Sequence, residues 1–131
     1  MYKLLKFLAT ILIVLLGIVG IGVYVFNNIF SEMCGNEIFS EVYSPDSKFR
    51  AVIFQRDCGA TTGFTTQISL IFAKNDLQNE GGNIFIVDGH PNDRKIELSW
   101  NGPKKLTIKN CSGLQSHKKE KLYQGVSIDY E

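Results

Sequence analysis

Three cysteines and two histidines, Cys34, Cys58, Cys111, His90 and His117, are the side chains through which this sequence could do chemistry. A thiol enzyme would use Cys58 as nucleophile, His90 or His117 as its base and an Asp to orient the base. A zinc site would need ligands in closely spaced pairs, and no pair of these residues has that spacing. No local catalytic signature surrounds them either, so the sequence leads to an expectation of no catalytic residue, no metal and no cofactor. The Cys58 and His90 pairing is the alternative, enzymatic reading. A different kind of chemistry is offered by RDCGATTGF, residues 56–64. Gly59 and Gly63 permit left-handed backbone angles, and Thr61 and Thr62 place hydroxyls beside exposed amides, a combination that could cradle an anion or a peptide carbonyl. It is not a phosphate-binding Walker loop, because no Gly-Lys-Ser/Thr follows Gly63. The same composition also suits a tight connection whose threonines satisfy their own backbone. Arg56, Asp57, Gly59, Thr61, Thr62, Gly63 and Phe64 are therefore the candidate binding loop.

What holds that loop is read from the rest of the chain. Residues 7–26, FLATILIVLLGIVGIGVYVF, contain no charge and are long enough, at about 1.5 Å per helical residue, to cross about 30 Å of hydrocarbon. A cleaved signal peptide has a shorter apolar core of about 7 to 15 residues and a small-residue cleavage site. Here bulky Tyr24, Phe26, Ile29 and Phe30 follow instead, so a retained transmembrane anchor is expected. Cys34 lies where a lipid-modified cysteine could, but Ser31-Glu32-Met33 does not supply the small residues such processing needs. Lys3 and Lys6 precede the segment and no further Lys or Arg occurs until Lys48, which places the amino terminus in the cytoplasm. Of 14 basic residues 12 then remain outside, against 13 acidic ones, and a bulk charge near −1 gives no attraction for nucleic acid. The expected organisation is a cytoplasmic terminus (1–6), a transmembrane helix (7–26), a juxtamembrane linker (27–36) and an extracytoplasmic β domain (37–131).

Within that domain, strands alternate with turn signals. Residues 37–43 and 49–55 flank Ser44-Pro45-Asp46-Ser47, where Pro45 sets the φ that begins a type I turn. In the second arm Phe49, Ala51 and Ile53 share one face and Val52 and Phe54 the other, so this strand should be central and covered on both sides. Residues 65–73 and 83–87 are further strands, joined by the polar KNDLQNEGG, which reads as a surface loop. For the hairpin of 95–100 and 106–109, a three-residue loop at 101–103 pairs Leu98 with Leu106 and Ile96 with Ile108. Residues 126–130 form a half-buried last strand, and the lysines of SHKKEKLYQG form a solvated face. DGHPND, 88–93, is polar enough for a cation but has the composition of a plain turn. These arms amount to about six or seven strands and no soluble helix, as in a small sandwich or strongly curled antiparallel sheet.

The three cysteines lie in a domain assigned to an oxidising compartment, where two should pair. Cys34 precedes the first strand and Cys58 follows the second, and antiparallel folding brings those ends together. A bond there closes about 24 residues and is worth about 3 kcal/mol by loop entropy. Cys111, at another strand end, is left as a buried thiol or a free one.

Residues 34–71, CGNEIFSEVYSPDSKFRAVIFQRDCGATTGFTTQISLI, resemble an uncharacterised family of small bacterial membrane-anchored or exported proteins. The shared pattern runs from Cys-Gly-Asn through Ser-Pro-Asp to Arg-Asp-Cys-Gly-Ala-Thr-Thr-Gly-Phe. The resemblance implies a shared fold and an anchored outer domain, with no established activity to transfer. Cys34 and Cys58 fall within the pattern and Cys111 does not. The resulting expectation is a mainly β, single-pass protein of the cytoplasmic (inner) membrane that carries an extracytoplasmic binding or envelope-interaction module. Its partners would be the membrane, through residues 7–26, and an envelope protein or peptide.

Overall fold

The structure is a computed structural model that describes every residue except Ala60 and Thr61, with only the backbone of Ser31 and Glu32 described. Two units are distinguished, Met1–Met33 and Cys34–Glu131. The first is the helix α1, Tyr2–Glu32, which is long and apolar enough to cross a membrane. No proline or glycine pair interrupts its uncharged stretch, so every backbone polar group inside it can be satisfied within the helix. It extends beyond the expected 7–26 at both ends. The expected linker 27–36 is consequently helix as far as Glu32 and strand from Gly35.

The second unit is two packed sheets. The strands are β1 Gly35–Tyr43, β2 Phe49–Asp57, β3 Thr65–Phe72, β4 Phe85–Asp88, β5 Glu97–Trp100, β6 Lys105–Lys109, β7 Ser116–Lys119, β8 Leu122–Tyr123 and β9 Val126–Tyr130. A one-turn helix, α2 Pro91–Arg94, lies between β4 and β5. One sheet has the order β1-β2-β3-β4-β7 and the other β5-β6-β9-β8. The architecture is thus mainly antiparallel β, as the alternation predicts, with more strands than the expected six or seven because SHKKEKLYQG supplies β7 and β8. One pair, β6 with β9, is parallel. The chain leaves β6 for the other sheet as β7 before it returns, and a return of that kind permits parallel pairing.

Alternation along β2 and β3 settles what lies between the sheets. Ala51 and Ile53 pair with Leu70 and Ile68, and these four meet Leu106, Ile108, Val126 and Ile128 of the second sheet in the core. The opposite face of β2, with Val52 and Phe54, is also buried, Phe54 being 0% exposed. Segment 73–83 crosses that face: Arg50 Nη2 donates to Asn75 O (2.6 Å), Gly82 N to Gln67 Oε1 (2.6 Å) and Leu70 N to Asn83 Oδ1 (2.8 Å). A Cβ at Gly82 would lie 3.0 Å from Gln67 Cβ, Ile68 O and Phe85 O, tighter than ordinary packing, so a larger residue there would push its neighbours apart by a few tenths of an ångström. The stretch is the surface loop expected, exposed at most of its residues, and it is also the second cover of the sheet.

The β1–β2 turn forms as its composition dictates. Ser47 N donates to Ser44 O (2.9 Å), Ser44 Oγ to Asp46 Oδ1 (2.7 Å) and Phe49 N to Ser44 Oγ (3.0 Å). The Ser44 hydroxyl, and then the Lys48 N–H, hold the Asp46 carboxyl below its usual range. The β5–β6 register differs from expectation: Trp100 pairs with Leu106 and Leu98 with Ile108. Asn101 N donates to Lys105 O and Asn101 Nδ2 to Thr107 Oγ1, both at 2.8 Å, and these bonds fix a longer turn. The slip is two residues, so each side chain keeps its expected face.

Candidate functional site

The site is built at the end of the five-stranded sheet where β1 begins and β2 finishes. Gly35 pairs with Asp57, and just beyond them Cys34 is bonded to Cys58, with an S–S distance of 2.03 Å. Cys111 is the free cysteine, buried beside the carboxyl end of the chain. Burial pushes its thiol pKa up. Cys58 has no thiol to give, so the Cys58 and His90 enzyme pairing lacks its nucleophile.

Arg56 and Asp57 face their own fold. Arg56 Nη1 donates to Asn36 Oδ1 (2.7 Å) and Asn79 Oδ1 (3.1 Å). Asn36 Nδ2 donates onward to Gln78 O (3.1 Å) and Glu80 O (2.8 Å), and Asn79 Nδ2 to Cys34 O (2.8 Å). The guanidinium thus ties the disulfide end of β1 to the covering segment 73–83. Asp57 Oδ1 accepts from Gly59 N at 3.0 Å, which starts a turn with Gly59 at φ +110°, a region disfavoured for L side chains. Thr62 N and Oγ1 both donate to Gly59 O at 3.1 Å. Thr61, also in the candidate loop, lies outside the described residues. Thr62, Gly63 and Phe64 are exposed.

A second segment closes on this loop. Gly89 N donates to Phe64 O (2.9 Å), Thr66 Oγ1 donates to Gly89 O (2.8 Å), and the rings of Phe64 and His90 meet edge-on at 5.7 Å. His90 caps α2 by accepting from Asn92 N at its Nδ1 (3.1 Å), and Pro91 at the first helical position is buried. The pair of cap followed by proline is the local reason that DGHPND turns as a helix. Arg94 Nε donates to Asp88 O (2.6 Å) and closes the turn. His117, on β7, lies 2.9 Å from Asp88 Oδ1 on the exposed surface. Among the described residues no group of three or more His, Cys, Asp or Glu side chains could hold a metal.

Between α2 and the edge strand lies a groove of about 230 Å³, lined by Glu37, Ile38, Phe39, Gln55, His90, Pro91 and Asn92. Of these, His90, Pro91 and Asn92 belong to the DGHPND segment noted in the sequence, where they read as a turn or a cation site. The other walls come from Gln55 of β2 and from Glu37, Ile38 and Phe39 of β1, whose exposed apolar residues are the sequence signal for the groove. Ile38 and Phe39 are each 49% exposed. The arrangement can hold an extended chain by its backbone and one side chain in the groove.

No curated protein and no solved structure matches the chain. Residues 2–123 match the model of a family of unknown function, DUF5412, a span that takes in α1, the disulfide, the loop and the groove together. The chain belongs to that family.

Proposed function

We propose that this protein is a single-pass, membrane-anchored binding module. Its amino terminus would be cytoplasmic and its β domain would lie outside the cytoplasmic (inner) membrane, where it engages an envelope protein or peptide. The apolar α1 supports the anchor, and the lysines before it support the orientation. The Cys34–Cys58 bond supports an oxidising compartment. The binding role rests on one observation above the others: Thr62, Gly63 and Phe64 are exposed to solvent on a framework of Arg56, Asp57 and Gly59 that is itself hydrogen-bonded within the fold. Recognition loops are commonly built in this way, on rigid supports.

Topology and binding are tested separately. Protease added outside intact cells from which any outer barrier has been removed should digest the β domain and leave residues 1–6 protected. The membrane-extracted chain should retain its first 26 residues by mass. A photo-crosslinking residue at Phe64 should give a discrete adduct in native membranes, and one at Lys109 on the other sheet should not. Thr61→Ala with Thr62→Ala should cost about 1 kcal/mol or less and abolish the Phe64 adduct. Equal adducts at both positions, or an adduct unchanged by the threonine variant, would refute the recognition role.

A further inference from the structure

The partner's chemistry is inscribed on β1. Strand β1 has nine residues and pairs with β2 on one side only. Among the described residues, segments other than β2 reach the main chain of 34–43 at its two ends, through Asn79 Nδ2 on Cys34 O and Trp100 Nε1 on Val42 O. The outer edge between them faces solvent. Natural edge strands are usually short, bulged, or guarded by proline or by charged residues, lysine above all. The opposite edge, β7, follows that rule with four residues that include Lys118 and Lys119. β1 is long, contains neither lysine nor proline, and exposes Ile38 and Phe39. Its ladder shifts between Ile38 and Ser40, a bulge that leaves Phe39 out of the pairing with β2.

Charge selects the occupant. Glu37 is the one carboxylate among the groove's lining residues, and among the described residues it makes no hydrogen bond or ion pair. The other carboxylate of β1, Glu41, is engaged by Arg50 at 2.6 Å. Gln55 and Asn92 add amide groups, which accept as well as donate, and His90 Nδ1 already accepts from Asn92 N. A second copy of β1 would bring two carboxylates and no cation to this edge, and like charges across a ladder are unfavourable. We propose that β1 takes up an extended basic peptide segment as an added strand, with one Lys or Arg side chain in the groove against Glu37. Main-chain bonds would supply affinity and the groove would supply specificity, as in other strand-addition complexes. This assignment rests on the binding-module reading and names its partner.

The test uses the full-length chain in nanodiscs of phosphatidylcholine, which carries no net charge to attract the probes. The probes are fluorescent nine-residue peptides of Thr and Val with a central Lys, the same peptide with a central Glu, and the Lys peptide with alternate backbone nitrogens methylated. The Lys peptide should bind about tenfold or more tightly than the Glu peptide, as expected for one favourable charge contact. Methylation should abolish binding. Glu37→Lys, a change at an exposed position, should reverse the preference without moving the melting temperature. Equal binding of the Lys and Glu peptides, undiminished binding of the methylated one, or no binding would overturn the proposal. So would a dimer seen by sedimentation that Ser40→Pro dissolves, since the occupant would then be a second copy. If the β domain proves cytoplasmic while the Lys peptide still binds with the Glu37 dependence, the anchoring orientation falls and the peptide assignment stands. Correct topology with no Lys preference overturns only the peptide assignment.

Discussion

The two sheets of the domain treat solvent in opposite ways. The sheet β5-β6-β9-β8 buries one face and presents polar residues such as Glu97, Lys105 and Asp129 on the other. The sheet β1-β2-β3-β4-β7 is covered on both faces, by the core on one side and segment 73–83 on the other, yet it leaves a long apolar edge open. A half-wet sheet needs only alternation to be stable. A doubly covered sheet needs its cover to be fastened, and this one is fastened by Arg50, Arg56, Asn36, Gln67 and the disulfide. The fastening therefore lies next to the long edge strand β1.

If the cover is as tightly packed as the core, Phe54→Ala should be the most damaging of the changes considered, at about 3 to 5 kcal/mol by chemical denaturation. A cost near 1 kcal/mol would mean that the cover relaxes over the cavity, and the two faces would then not be equivalent. Cys58→Ser should cost about 3 kcal/mol, because the bond spans a sequence separation of 24. A parallel thiol titration should find no reactive thiol in the folded chain, one (Cys111) after unfolding, and three after reduction.

Arg50→Ala removes the bond to Asn75 O and the pair with Glu41. The expected loss is about 1.5 to 3 kcal/mol, with faster hydrogen exchange confined to 73–83. The alkaline limb of stability reports on the other sheet. Burial raises the Tyr130 phenol far above its ordinary value of 10.0, and its hydroxyl donates to Glu120 O at 2.5 Å. The folded chain therefore holds that proton while the unfolded chain gives it up. The contribution is complete below pH 10 and declines as pH rises beyond it. Burial acts in the same direction on Cys111 from its ordinary 9.0 upward. Denaturation midpoints measured from pH 8 to 11 should fall over that range, and Tyr130→Phe should flatten the upper part. The smallest effect belongs to Lys105→Ala, whose pair with Asp129 is about half exposed on both sides (51% and 52%); about 0.5 kcal/mol or less is expected.

Much of this contrast could be read from residues alone. Ser-Pro-Asp and the alternation of 49–55 define the β1–β2 hairpin, and the apolar residues on both faces of β2 require two covers. The identity of the second cover was not legible. KNDLQNEGG has the composition of a solvated loop, and what fastens it is main-chain bonding to Arg50 and Gln67, which leaves no periodic trace. The β5–β6 register was missed for a related reason: the turn is chosen by an Asn101 to Thr107 side-chain bond, while the hydrophobic pattern fixes only parity. In the candidate site, the Gly and Thr of the loop can be read locally, whereas the bonds from Arg56 reach Asn36 and Asn79, 20 and 23 positions away, and leave no local pattern. The groove was hidden because its walls come from segments more than 50 residues apart, Glu37 and His90, which only the folded sheet brings together.

The disulfide also decides how the domain would bear mechanical load. Tension applied through α1 enters at Cys34, the first residue of the β unit and the start of an edge strand. Without the crosslink, such a pull would peel β1 from β2 one hydrogen-bonded pair at a time, the weakest way to open a ladder. With Cys34 bonded to Cys58, the same pull is delivered at once to the far end of β2, which lies between β1 and β3. Were α1 anchored as proposed, the domain would then yield only when an interior strand is dragged out of the sheet, and a partner seated on β1 would be shielded from strain transmitted by the membrane.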